Sequence, residues 1–90
     1  MHFILYGIKD SVKYYISNLD PLAWTSAPLE AKKYSNRYNG ESDILRNYVN
    51  YNNLKKLIKD GYLDKVYIAS IEIDPITRNI NETWRLQLIC

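Results

Sequence analysis

The region from Trp24 to Asp60 constrains this chain more than any other. Within it Ile44, Leu45, Tyr48, Val49, Leu54, Leu57 and Ile58 recur at three- and four-residue spacing. That spacing places them on one helical face. Segments with the residue pattern of β-strands lie on either side. The order predicts a helical layer whose apolar stripe is buried by a sheet made from the flanks. Ninety residues make one domain, 1–90, and a domain of that size buries roughly 60–65% of its unfolded surface. A hydrophobic content of 47%, with 13% aromatic residues, excludes a disordered chain.

The segment His2–Ile8 reads as a strand, Lys9-Asp10-Ser11 as a turn and Val12–Ile16 as a second strand. A connection this short joins antiparallel partners only. Leu22-Ala23-Trp24 is either a short third strand or a packed loop. Thr25-Ser26-Ala27-Pro28 has the chemistry of a helix start, a hydroxyl cap followed by proline. It predicts a first helix running to about Tyr38 and ending at Asn39-Gly40. A second helix follows from Glu41-Ser42-Asp43. Asn50, Asn52 and Asn53 compete for its backbone, so a break is expected near Asn52, with a last helical piece ending at Gly61. The segment Lys65–Asp74 is the strongest strand. Residues 82–90 alternate, with Trp84, Leu86, Leu88 and Cys90 on one face and Thr83, Arg85, Gln87 and Ile89 on the other. The predicted fold class is α+β: an antiparallel sheet of about four strands, with two or three helical segments packed on one face in the order β-β-α-α-β-β. Such a sheet is expected to have its other face wet.

The chemistry-bearing residues are sparse. Three separated glycines cannot form a phosphate loop or a dinucleotide fingerprint, and one histidine cannot form a helical zinc pair. A single cysteine, Cys90, excludes a disulfide framework within the chain and fits a reduced, cytoplasmic setting. No segment approaches the ~20 apolar residues of a membrane helix, so no membrane partner is expected. No cofactor and no resident metal is expected. Glu72 and Asp74 alternate on a strand, about 7 Å apart, and could hold a divalent cation or act as acid and base, with Lys65 or Arg85 nearby. A solvated strand end, with Arg85 as cross-strand charge partner, explains the same residues.

Two basic groups remain. Lys32, Lys33 and Arg37 fall on the predicted first helix, and Lys55, Lys56 and Lys59 on the last piece. Tyr34, Tyr38, Tyr48 and Tyr51 interleave with them. Aromatic rings beside cations can stack bases and neutralise phosphates, but a net charge of +2 is small for a nucleic-acid binder.

The succession Tyr14-Tyr15-Ile16, Trp24-Thr25, Glu30-Ala31-Lys32-Lys33-Tyr34, Ile44-Leu45 and Val66–Ile73 resembles small accessory proteins of bacteriophages and mobile elements. In those, a β-hairpin leads through a Trp-Thr step to a helix with an Ala-Lys-x-aromatic core and then to closing strands. The long Asn- and Tyr-rich second helical region departs from that pattern. The resemblance implies a non-catalytic inhibitor of host defence, anti-CRISPR-like, acting in the host cytoplasm by binding a host protein or nucleoprotein complex. Its contact residues are expected to be Tyr34, Tyr38, Tyr48, Tyr51, Lys32, Lys33 and Arg37, because Tyr and Arg anchor interfaces. The alternatives are a nucleic-acid-binding protein using the Tyr/Lys-rich helical face, and a metal-dependent enzyme using Glu72 and Asp74. A homodimer fits any of these, since a small sheet with an exposed edge tends to cover it.

Overall fold

The computed structural model describes residues 1–90. Strands β1 (His2–Lys9), β2 (Val12–Leu19) and β3 (Leu22–Thr25) form a meander. A 3₁₀ turn at Pro28–Glu30 leads to helices α1 (Arg37–Leu45) and α2 (Tyr48–Lys59), and strands β4 (Lys65–Ile73) and β5 (Ile80–Ile89) close the chain. The five strands lie in the order β3-β2-β1-β4-β5, and every pair is antiparallel. The α+β layering is as the sequence predicts, with Leu22–Thr25 added to the sheet as a short strand.

The β1–β2 turn places Asp10 and Ser11 at φ 50° and 68°, the left-handed conformation of a two-residue hairpin turn. Asp64 clasps it, accepting from the Asp10 N–H at 3.0 Å. At the other end of the helical layer, Gly61 has φ +84° just beyond α2. Its N–H donates to the Ile58 carbonyl and the Tyr62 N–H to that of Leu57, which satisfies carbonyls that the helix end leaves free.

The region between these features departs from expectation. Residues 28–36 do not form an α-helix. After the 3₁₀ turn the chain runs extended, and Phe3 and Tyr34 exchange both backbone hydrogen bonds, at 2.9 and 2.8 Å. The Lys32 N–H donates to the Ile16 carbonyl at 2.9 Å. The cause lies in the sheet. The β1–β2 ladder pairs only Tyr6–Lys9 with Val12–Tyr15, so the first half of β1 has no strand on that side. Its backbone groups need partners, and residues 31–34 fill the wedge. Tertiary demand overrides a local helix signal.

The helices also begin and break elsewhere. Asn36 caps α1, its side chain accepting from the Asn39 N–H at 2.9 Å. Gly40 therefore lies inside α1 rather than ending a helix. An added Cβ there would sit 2.7 Å from Ile68 Cδ1, so the glycine sets how closely α1 approaches the sheet. The break falls at Arg46–Asn47, not at Asn52. Asn47 caps α2 by accepting from the Asn50 N–H at 3.1 Å, and the Asn50 amide donates to the Asp43 carbonyl at 2.8 Å, tying the two helices together.

The core sits on both faces of the sheet. On the helical face Leu5, Ile16, Ile44, Leu54, Val66 and Ile68 are wholly buried. On the other, expected to be wet, Ile4, Tyr6, Tyr67, Ala69 and Ile71 are also buried. No helix covers them. Long polar side chains do. Lys13 on β2 reaches Glu82 on β5 at 3.2 Å, its Nζ lying 4.9 Å from the Tyr6 ring centre. Arg85 lies 4.5 Å above Tyr67. Their aliphatic stems roof the apolar row while the charges stay in water.

Two irregularities in the β4–β5 register alter the predicted faces of β5. The register shifts between Ser70 and Ile71, and again between Val66 and Tyr67. Thr83 and Trp84 therefore share the helical face, Thr83 Oγ1 lying 2.7 Å from Ser70 Oγ. Leu88 packs on the same core as Ile89. A bulge puts two successive side chains on one side and ends strict alternation.

Candidate partner-binding surface

The seven residues expected to bind a partner do not form one surface. Tyr34 is buried, and its hydroxyl donates to Asp43 Oδ2 at 2.6 Å. Burial, with Asp43 adding to it, raises the phenol well above its ordinary pKa. Tyr34 is a core residue, because its bridge to Phe3 aims the ring under α1. Lys32 lies 3.9 Å from Asp43 and 5.5 Å from the Tyr34 ring centre. Lys33 donates to the carbonyls of Leu29 and Ala31. Tyr51 is half-buried against the helical-face core. Arg37 pairs with Glu41 at 2.9 Å and stacks 4.8 Å from the Trp84 ring centre.

The other two, Tyr38 and Tyr48, are 60% and 82% exposed. Tyr38 lies in the first turn of α1, and Tyr48 begins α2 beside the Arg46–Asn47 break. Leu45 and Val49, expected in the core stripe, are 46% and 64% exposed at the same corner. The break resets the helical phase. Ile44 and Leu54 stay on the core side, while Leu45, Tyr48 and Val49 turn outward. Arg46 stacks 5.2 Å from the Tyr38 ring centre. The corner thus carries Leu45, Tyr48 and Val49 on a capped, cross-tied scaffold, with the Arg46 guanidinium reaching back along α1 to Tyr38. Isolated exposed apolar residues are ordinary, whereas a group of them marks a contact surface. Reading from the sequence missed Arg46, Leu45 and Val49. The signal that could have found them is Asn47, a helix cap three residues before Asn50.

The two carboxylates expected on one strand face fall apart, Glu72 within β4 and Asp74 beyond its end. Asp74 lies beyond the end of β4 and accepts from the N–H groups of Ile76 and Thr77 at 2.8 and 3.0 Å. Those backbone bonds, Thr77's foremost, lower its pKa. Glu72 pairs with Asn81, not Arg85, which lies opposite Ala69. Lys65 begins β4, at the end remote from Asp74. No group of three His, Cys, Asp or Glu side chains is placed to hold a metal.

Two recesses complete the surface. Tyr14, Trp24, Leu57, Tyr62 and Leu63 line an apolar cleft of about 310 Å³. Gly7 lets two of these side chains lie close to β1, since an added Cβ there would meet Leu63 Cδ2 at 2.8 Å and Trp24 at 3.4 Å. Lys55, Lys56 and Lys59 of α2 line an open recess with Cys90. No helix is long and apolar enough to cross a membrane. No protein-family model matches the chain, no curated protein matches its sequence, and no solved structure matches its fold.

Proposed function

We propose that this chain is a small non-catalytic protein-binding module that engages its partner through the α1–α2 corner. The observation that carries this reading is the exposure of Leu45, Tyr48 and Val49 at the α1–α2 junction, with Tyr38 exposed along α1 and linked to it by Arg46. Tyrosine brings large contact area with few rotatable bonds, and Arg46 adds the cation type most common at interface anchors. The finer identity, a phage-type anti-CRISPR-like inhibitor of a host defence complex, rests on the resemblance in the hairpin and the Trp24-Thr25 step, whereas the Glu30–Tyr34 segment, helical in that pattern, runs extended here. Nucleic-acid binding through Lys32, Lys33 and Arg37 has weaker support, because the first two are tied to Asp43 and to backbone carbonyls, and the third to Glu41.

The test is a tagged pull-down from host lysate, with and without nuclease, using wild-type protein and the Tyr38→Ala/Tyr48→Ala variant. The proposal expects a stoichiometric protein that survives nuclease and is lost by the variant, with the variant's stability unchanged within about 0.5 kcal/mol. A partner retained by the variant, or one that vanishes with nuclease, overturns it.

A further inference from the structure

We infer that strand β5 is the contact between two copies of this chain, which join antiparallel across a two-fold axis passing between Thr83 and Trp84. The sheet has two edges. One is β3, only four residues long; the other is β5, ten residues long. None of the backbone hydrogen bonds outside the strand ladders involves residues 80–89, so the outer side of β5 carries a row of unpaired N–H and C=O groups. Its side chains are exposed as well, with Trp84 and Leu86 at 38% and 37%. A long, apolar open edge is a template for another strand.

The bulge decides which strand fits. Residues directly opposite in an antiparallel pair must lie on the same face of the sheet. Across the bulge, Thr83 and Trp84 share the helical face. Moving outward, Arg85 and Glu82 both lie on the other face, and Leu86 and Asn81 both return to the helical one. The order of faces is thus a mirror image about the Thr83–Trp84 bond. A partner strand with ordinary alternation matches both arms only through a one-residue shift of the kind that β4 makes, whereas a second copy placed on a two-fold axis through that bond matches them without one. Isologous closure of this kind is the usual arrangement of small homodimers.

The same axis sets the charges. It places Arg85 of one protomer opposite the partner's Glu82, twice by symmetry. Arg85 has no carboxylate partner within its own chain, so the pairing supplies one. Glu82, held by Lys13 at 3.2 Å, is fixed on the face where that guanidinium arrives. Trp84 stands opposite the partner's Thr83 beside the axis. The result is one continuous ten-stranded sheet, with the α1–α2 corners left open on both protomers.

Sedimentation equilibrium of the full chain tests this with three proteins. Wild type is expected to associate as a dimer. Arg85→Glu sets like charges opposite each other at both symmetric positions and is expected to weaken association at least about tenfold. Arg85→Glu combined with Glu82→Arg restores opposite charges across the axis and is expected to recover association. The double variant also lacks the Arg85–Tyr67 stack, so its recovery separates a lost contact from a loosened fold, and far-UV circular dichroism confirms that each variant is folded. Wild type remaining monomeric up to millimolar concentration overturns the inference. So does Arg85→Glu associating like wild type, or a folded double variant that stays monomeric.

Discussion

Replacing Tyr6 by phenylalanine should stabilise this protein. Tyr6 is 0% exposed in the middle of the helix-free face, and its hydroxyl has no hydrogen-bond partner of good geometry. Arg85 and Glu82 are the polar side chains closest in influence, acting on the phenol in opposite directions. A hydroxyl taken out of water without a bond costs about 1–3 kcal/mol in proteins. The variant removes that penalty and keeps the ring, with its stack on Tyr67 at 5.5 Å, its edge contact with Tyr15 at 5.7 Å and the Lys13 ammonium above it. A gain of roughly 1 kcal/mol follows, which for a domain of this size raises the midpoint of thermal unfolding by about 4–8 °C. Urea denaturation at neutral pH, fitted with a common slope, measures it. Tyr34→Phe is the control of opposite sign. It removes a real bond to Asp43 and should lose about 1 kcal/mol. A Tyr6→Phe variant less stable than wild type by a similar amount would refute the reasoning, and would mean that Arg85 donates to the hydroxyl in solution. The pH dependence follows from the same burial, which raises the Tyr6 phenol from 10.0 to about 12. The folded state keeps a proton that the unfolded state loses. The Tyr6 contribution is therefore fully present below pH 10 and is lost as pH rises through 12. Tyr6→Phe should show a shallower decline than wild type across that window.

Leu54 is 0% exposed where α2 meets the sheet, so Leu54→Ala should cost about 2–5 kcal/mol in urea denaturation, a large share of a domain's total stability; a loss under 1 kcal/mol would mean that the helix repacks freely. Gly61 has φ +84° and nothing within 4 Å of an added Cβ, so Gly61→Ala should cost only about 1 kcal/mol, from backbone strain alone. A loss of several kcal/mol would show that the turn packs more tightly than its geometry indicates.

The elements legible in the sequence are those set by local chemistry. The Lys9-Asp10-Ser11 turn forms because its flanking strands are short and close. The Lys65–Ile73 run is a strand because β-branched residues suit both buried faces of a sheet. Gly61 stops α2 because the left-handed conformation is easiest for glycine. What was not legible depends on partners distant in sequence. Nothing in Ala31–Tyr34 reveals that Phe3 needs its backbone groups. Nothing near Gly40 reveals that Ile68 will lie against it. Tyr48 and Val49 fit the core stripe by spacing and miss it because the stripe is interrupted two residues earlier, at Arg46–Asn47.

By itself, then, the sequence determined an α+β layering, its hairpin and its helix stop, because each follows from backbone preference and hydrophobic period within a few residues. It also determined the absence of phosphate-loop, dinucleotide and helical zinc-pair motifs, because residues that are missing cannot be supplied by folding. Only the tertiary structure decided which tyrosines are anchors and which are core, since exposure depends on the phase of a helix relative to a sheet assembled from both ends of the chain. It alone placed the bulge that reverses the faces of β5, because a one-residue slip between paired strands leaves no mark on the strand itself. The exposed α1–α2 corner and the open β5 edge are both products of that long-range assembly.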